Sequence, residues 1–188
     1  GQTLHVDFTP TDTANYNNAS KNVTINVLKA TPTFNWSNPA DITYGTALSG
    51  TQLNATATAV VNGSTVTVVG VFTYTPASGA VLNAGNGQNL HVSFAPTETI
   101  NYNSPVTKDV TINILKKDAT WTTNAASKAY GDTDPVGLTT GSGSGFLVAD
   151  GVSATYARVA GETVAGSPYS ITATLSATVV GALNNYNI

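Results

Sequence analysis

The chain of 188 residues contains no cysteine and no methionine. Without cysteine there is no disulfide framework, no thiolate metal site and no cysteine nucleophile. Methionine is missing even at position 1, so the sequence reads as a processed or cut piece of something longer. Charge is equally scarce: 7 Lys plus Arg stand against 10 Asp plus Glu, 9% of all residues, with a formal net charge of −3. So few cations, spread along the chain, make no basic stripe, and a nucleic-acid partner is not expected. No apolar run approaches the ~18 residues of a membrane helix, and no signal-peptide pattern is present, so membrane insertion is not expected either.

What is abundant is β-forming. Thr is about one residue in six, with many Val, Ala, Asn and Gly. β-branched residues suit a pleated sheet, and Asn and Gly suit the turns between strands. Leu4, Val6 and Phe8 alternate with His5 and Asp7, and Val23, Ile25 and Val27 alternate with Thr24 and Asn26. A period of two marks half-buried antiparallel strands. Asn62-Gly63 between two apolar runs is a hairpin signal, because both residues tolerate positive φ. Pro10, Pro76 and Pro96 follow strand runs and end them. The Gly-Ser-Gly-Ser-Gly stretch at 141–145 reads as a loop. No helix is expected.

Internal repetition organises the rest. GQTLHVDFTPTDTANY at 1–16 returns as GQNLHVSFAPTETINY at 87–102, with 11 of 16 positions identical. VTINVLK at 23–29 returns as VTINILK at 110–116. Weaker echoes extend the pattern. The Tyr44-Gly45 pair matches Tyr130-Gly131, FTYTPASG at 72–79 matches ATYARVAG at 154–161, and Asn-Tyr-Asn occurs at 101–103 and 185–187. A period near 86 suits an immunoglobulin-size sandwich of roughly 100 residues and is too long for a solenoid repeat. The expected organisation is the closing strands of one domain at 1–30, a complete sandwich at 31–117, and a divergent third at 118–188. The joints near Ala30 and Lys117 carry no Gly/Ser linker, which implies semi-rigid connections.

Few residues invite a chemical role. His5 and His91 share one repeat position between apolar Leu and Val, and alternation turns both outward. No carboxylate–hydroxyl pair recurs beside them, so no triad forms, and both are expected beyond hydrogen-bond reach of any acid pair. Trp36 and Trp121 also correspond, each in the first strand of its domain. A sugar platform would expose such rings, whereas a sandwich core buries them, and repetition favours the core. Tyr16 and Tyr102 close the motifs Asp-Thr-Ala-Asn-Tyr and Glu-Thr-Ile-Asn-Tyr. These resemble the tyrosine corner of immunoglobulin-like sandwiches, which implies matching environments and a hydroxyl bonded to upstream backbone. Asp132, Asp134 and Asp150 form the one local group of acids, weak candidates for a cation site, with Arg158 and Glu162 as ion-pair partners. Asp118 sits alone at a joint, too few acids for a calcium-stacked adhesin repeat. Five Asn-x-Ser/Thr sequons, at Asn18, Asn22, Asn35, Asn54 and Asn62, are unsurprising in so Asn- and Thr-rich a chain. No cofactor is implied.

Residues 121–188 resemble a known family. They read Lys-x-Tyr-Gly-Asp-x-Asp-Pro over 128–135, Asp150-Gly151, Arg158-x-x-Gly161-Glu162, Gly-x-x-Tyr-x-Ile over 166–171 and Asn-Tyr-Asn-Ile over 185–188. This is similar to the MBG domain, with its Tyr-Gly-Asp signature, of large bacterial surface and secreted adhesins. The middle segment, with Tyr-Gly-Thr-x-Leu at 44–48 and Pro-Thr-x-Thr-x-Asn-Tyr-Asn at 96–103, resembles bacterial Ig-like repeats. The resemblance implies tandem immunoglobulin-like antiparallel β-sandwiches arranged end to end. It also implies an extracellular setting, on the bacterial surface or secreted, and no catalytic residue.

The leading functional expectation is a non-enzymatic stalk that spaces a binding region from the cell, its partners being neighbouring repeats. The alternative is a β-sandwich module whose third domain grips a glycan, host or matrix protein. In that case Tyr130, Tyr156 and Tyr169 should be exposed and the 141–145 loop should carry the site. Autocatalytic Lys–Asn crosslinks are conceivable without support from the sequence. The family pattern continues past Asn-Tyr-Asn-Ile into a closing strand, and 1–29 supply two strands of a sandwich. The expectation is an excised segment of a longer fibre. The competing one is strand addition between copies, which would bring residues 21–29 of another chain beside Tyr186.

Overall fold

A computed structural model describes residues 1–135 and 140–188. The chain is all-β, as the composition requires, and among the described residues helical content is confined to short 3-10 turns. The strands are β1 (Gln2–Phe8), β2 (Ala19–Ile25), β3 (Thr33–Asn35), β4 (Ile42–Thr43) and β5 (Thr56–Val61). Next come β6 (Ser64–Thr67), β7 (Gly70–Thr75), β8 (Gly85–Pro96), β9 (Val106–Leu115) and β10 (Lys117–Asp118). The last are β11 (Thr120–Thr123), β12 (Gly141–Ser144), β13 (Ser153–Arg158), β14 (Ile171–Ser176) and β15 (Tyr186–Asn187). Three 3-10 turns lie at Val148–Asp150, Val164–Gly166 and Ala182–Asn185.

Contacts divide the chain into two compact units, each made of discontinuous segments. The first comprises Gly1–Asn35, Ala55–Thr73 and Ser93–Lys108. Here β3, β5 and β6 form one antiparallel sheet, and Asn62 and Gly63, with φ of 49° and 77°, make the tight turn their sequence calls for. The unit's core is Ala57, Ala59, Val68 and Phe94, with Phe34, Phe72 and Tyr102 packed against it. Phe34 meets the other two phenylalanines edge-on at centroid distances of 6.4 and 6.2 Å, the geometry the ring quadrupoles prefer. Gly70 is required here, because a Cβ would lie 2.3 Å from the carbonyl oxygen of Ala95. The β1–β2 hairpin is in the same unit, in register from Gln2↔Ile25 to Phe8↔Ala19. Its apolar residues remain open: Leu4, Val6, Phe8, Val23 and Ile25 are each about half exposed.

The second unit comprises Trp36–Asn54, Tyr74–Val92 and Asp109–Ile188. Leu90 and Val92 are fully buried, and Val110, Ile112 and Ile114 nearly so. Within this unit β4 runs parallel to the end of β9 in the register Ile42↔Ile114 and Thr43↔Leu115. Trp36 is 3% exposed; its indole N–H donates to the Gln52 carbonyl at 3.0 Å and its ring meets Tyr74 edge-on at 5.5 Å. Three two-stranded pairings follow. They are β11 with β12, β13 with β14, and the parallel pair β10 with β15. In the last pair Lys117 aligns with Tyr186 and Asp118 with Asn187.

The glycine-rich stretch at 141–145 corrects the sequence expectation. It is strand β12 rather than a loop, paired with β11 so that Trp121 faces Gly143. A Cβ on Gly141 would stand 2.9 Å from the Trp121 indole nitrogen, and one on Gly143 2.8 Å from its ring carbons. Glycine is needed at both positions because a Cβ would collide with the Tyr156 hydroxyl and the Thr122 carbonyl at 141, and with the Trp121 and Phe146 rings at 143.

Candidate functional site

The most constrained polar site grows from two short motifs. Thr43-Tyr44-Gly45-Thr46 is a turn closed by the Thr46 N–H donating to the Thr43 carbonyl at 3.0 Å, with Gly45 at φ +92°. Glycine is needed at that position because L side chains avoid positive φ. The Tyr44 N–H donates to the Leu115 carbonyl at 2.9 Å, so β9 holds the turn and fixes the tyrosine's direction. On the other side, Asp150 ends the 3-10 turn Val148–Asp150, after which Gly151 reverses the chain at φ 58°. The Asp150 carbonyl accepts the Thr178 N–H at 3.0 Å and its hydroxyl at 3.1 Å. These bonds aim the carboxylate inward, where it is 4% exposed.

Tyr44 donates its hydroxyl to both carboxylate oxygens, at 3.1 and 3.2 Å. Tyr186 donates to Oδ2 at 2.5 Å, while its own oxygen accepts the Leu147 N–H at 2.8 Å. Both tyrosines are buried, and their rings stand nearly perpendicular at 5.5 Å. Phe146 packs on the far side of Tyr186 at 5.0 Å and on Trp121 at 6.2 Å. Leu147 fills the space over Gly45: a Cβ there would lie 3.1 Å from its methyl. Desolvation, and then the Asp150 carboxylate, push the Tyr186 phenol up to about 12 and raise that of Tyr44 as well.

The whole Asn-Tyr-Asn motif serves this site. Asn185 is buried; its Oδ1 accepts the Ala84 N–H at 2.8 Å and its Nδ2 donates to the Asn83 side chain at 3.1 Å. Asn187 donates from Nδ2 to Asp118 at 2.9 Å, and its carbonyl accepts the Ala119 N–H at 2.8 Å. The arrangement ties chain segments together. Its carboxylate is engaged by both phenols.

A second cluster is electrostatic. Asp134 and Glu162 each pair with both Lys128 and Arg158, at distances of 2.6 to 3.0 Å. Arg158 also lies over the Tyr169 ring at 5.4 Å. Hydrogen bonds from Arg158 and then Lys128 hold the Asp134 carboxyl below its usual range; those from Lys128 and then Arg158 do the same for Glu162. The four charges balance in sign and border a cavity of about 260 Å³ lined also by Tyr130 and Tyr169.

Against this geometry the three acids singled out from sequence do not form one group. Asp150 is in the buried phenol site, Asp134 is in the ion-pair cluster, and Asp132 lies on the turn after Gly131. Among the described residues no set of three His, Asp or Glu could hold a metal ion. Tyr102 packs on the first unit's core, but Tyr16 is 65% exposed, so their environments do not match as expected. What they share is backbone: the Tyr16 and Tyr102 N–H groups donate to the Asp12 and Glu98 carbonyls at 3.2 and 3.3 Å. In each copy the acid also accepts a bond from the Asn side chain three residues on, at 2.8 and 3.2 Å, which explains the acid-x-x-Asn-Tyr spacing. The histidines face solvent, and each contacts a single exposed acid: His5 meets Asp7 and His91 meets Asp109, both at 2.9 Å. The acid occupies a different repeat position in each copy, so no shared site results. Trp121 is part-buried, with its N–H donating to Tyr156 at 3.1 Å. Of the tyrosines that a binding surface would expose, Tyr130 is open at 74%, while Tyr156 and Tyr169 are half-buried.

Sequence reasoning did not pick out Tyr44, Tyr186 or Leu147, nor Asp150 as their partner. The signal was the recurrence of Tyr-Gly and Asn-Tyr-Asn, read as echoes of the repeat rather than as two sides of one contact.

The fold is all-β, and its buried polar centre is built from two phenols on one carboxylate. Within the chain, residues 119–188 match the model of a family described as MBG domain (YGX type). Neither the curated proteins nor the solved structures contain a match to the chain.

Proposed function

We propose that the chain is a non-catalytic stretch of stalk from a bacterial surface or secreted adhesin-type protein, spacing a binding region from the cell. MBG modules are structural parts typical of bacterial surface proteins, and the match over 119–188 supports that setting. The observation that carries the reading is the Asp150 site. Residues 31–117 contribute Tyr44 and Gly45, residues 118–188 contribute Leu147, Asp150 and Tyr186, and β9 leads into β10 with Lys116 alone between them. A buried phenol–carboxylate lock beside a one-residue connection restricts bending, which is what a spacer needs.

Small-angle scattering tests the reading. A strand of 12 residues like β8 sets a repeat length of about 40 Å. A chain extended by one repeat should gain about that much in maximum dimension, and a chain that folds back on itself would sink the proposal. The rival, a third domain that binds a glycan or protein, draws support from the cavity beside Tyr130. Its charged lining is already paired internally, which leaves few groups for a ligand. Micromolar binding on glycan or matrix-protein arrays would favour the rival.

A further inference from the structure

The Tyr44-Gly45 turn has a twin. Ala129-Tyr130-Gly131-Asp132 closes with the Asp132 N–H donating to the Ala129 carbonyl at 3.2 Å, as Thr46 does to Thr43 at 3.0 Å. Gly131 sits at φ +87° where Gly45 sits at +92°. The two turns thus have one backbone form and one sequence, Tyr-Gly. Their surroundings differ completely. A Cβ on Gly45 would touch Leu147, whereas one on Gly131 meets nothing within 4 Å. Tyr44 is 7% exposed with its hydroxyl on Asp150, whereas Tyr130 is 74% exposed.

From this pair we infer that the Tyr130-Gly131 turn is a docking site for one kind of partner: another domain of the type at 118–188, presenting its own Leu147–Asp150 turn and Asn-Tyr-Asn segment. The inference rests on reading the chain as a row of spacing modules and adds the rule by which they join. Tyr44 shows what such a turn engages: a leucine over the glycine, and a buried carboxylate that the phenol shares with a second tyrosine. A glycine at positive φ leaves its face flat for the leucine, and the tyrosine beside it reaches the acid. Another copy of the present chain does not supply the partner surface, because its Asp150 is already covered by its own Tyr44. The partner is therefore a domain placed in series, and the contact propagates along the chain.

The test is an extended chain in which residues 105–188 are repeated directly after Ile188. The added piece then arrives on a β9-type strand, which in the middle segment holds the Tyr44 turn. Tyrosine nitration by tetranitromethane, read by peptide mass, compares Tyr130 in the parent and extended chains, with Tyr44 as the protected standard. Docking of nine molecules in ten slows modification of Tyr130 about tenfold. Asp150→Ala in the added copy alone should restore most of the parental rate. Folding of the added copy is followed by its amide NMR signals. If it does not fold when joined directly, a version with a Gly/Ser spacer of about 12 residues still gives millimolar effective concentration. A folded added copy with Tyr130 modified at the parental rate overturns the inference. So does an added copy that folds in neither form, since the same residues fold behind Tyr44 in the parent. Scattering on the same chain separates the two ideas. Growth by one repeat with Tyr130 unprotected leaves the stalk reading standing and removes the docking rule; protection without growth does the reverse.

Discussion

Tyr44 and Asp150 lie 106 residues apart in sequence and meet as a buried phenol donating to a carboxylate, at 3.1 and 3.2 Å. Tyr186 completes the contact, donating to Oδ2 at 2.5 Å. Every polar atom of this centre is satisfied, and among the described residues no buried side-chain nitrogen or oxygen lacks a partner. A fully bonded buried network gives rigidity, and removal of one member strands the others.

Asp150→Ala should therefore destabilise the protein by about 2–4 kcal/mol, because two buried phenols lose their acceptor. Asp132→Ala, on an exposed turn, should change stability by less than about 0.5 kcal/mol. Urea unfolding followed by circular dichroism compares the two. Equal effects would show that the buried site contributes nothing special.

The same site sets an alkaline limit. The phenols of Tyr186 and Tyr44 ionise later in the folded chain than in the unfolded one, Tyr186 near 12. A folded pKa raised above the unfolded value of about 10 means stability fully present below pH 10 and lost as pH rises towards 12. Melting temperature should hold steady up to about pH 9.5 and fall beyond it. In Tyr186→Phe the fall should be shallower, on a lower starting stability. An unchanged slope in that variant would place the alkaline loss elsewhere.

Gly143→Ala should cost about 1–3 kcal/mol, since the new methyl meets the Trp121 ring and neighbouring elements must shift. Gly50→Ala is the control: it has open space around it and should be close to neutral. Tryptophan emission reports the difference, because displacement of the Trp121 indole from β12 moves its spectrum while Gly50→Ala leaves it alone.

Trp36→Ala should cost about 3–5 kcal/mol, as expected for a large ring removed from a packed core. Trp121→Ala should cost less, because that indole is only part-buried. Thermal unfolding of the two variants ranks them; the reverse order would mean that the Trp36 surroundings collapse to fill the void.

Much of the fold was legible in the sequence. Alternation at Leu90, Val92 and Phe94 marked three residues that are fully buried, and Asn62-Gly63 marked a turn that forms as expected. The candidate site was less legible. Asp150 was grouped with Asp132 and Asp134 as a weak cation-site candidate, because the three are near one another in sequence. Its partners come from 106 residues before and 36 residues after, and the pairing follows from where β9 and β15 place their ends. The run at 141–145 misled for a similar reason: glycine usually marks a turn, and here Gly141–Ser144 form a strand with no room for side chains beside Trp121.

By itself the sequence determined the class of structure, because period-two alternation of β-branched residues admits only half-buried strands, and it determined which face of each strand is apolar. It did not determine whether that face is covered. Leu4, Val6 and Phe8 repeat the pattern of Leu90, Val92 and Phe94, yet the first three are about half exposed and the second three are buried. The same holds for Tyr44 and Tyr130, whose turns share one backbone form. Local sequence fixes dihedral angles and the direction of a side chain, since those depend on near neighbours. Burial, and with it the lock at Asp150, depends on which distant segment arrives over that side chain, and only the tertiary structure decided that.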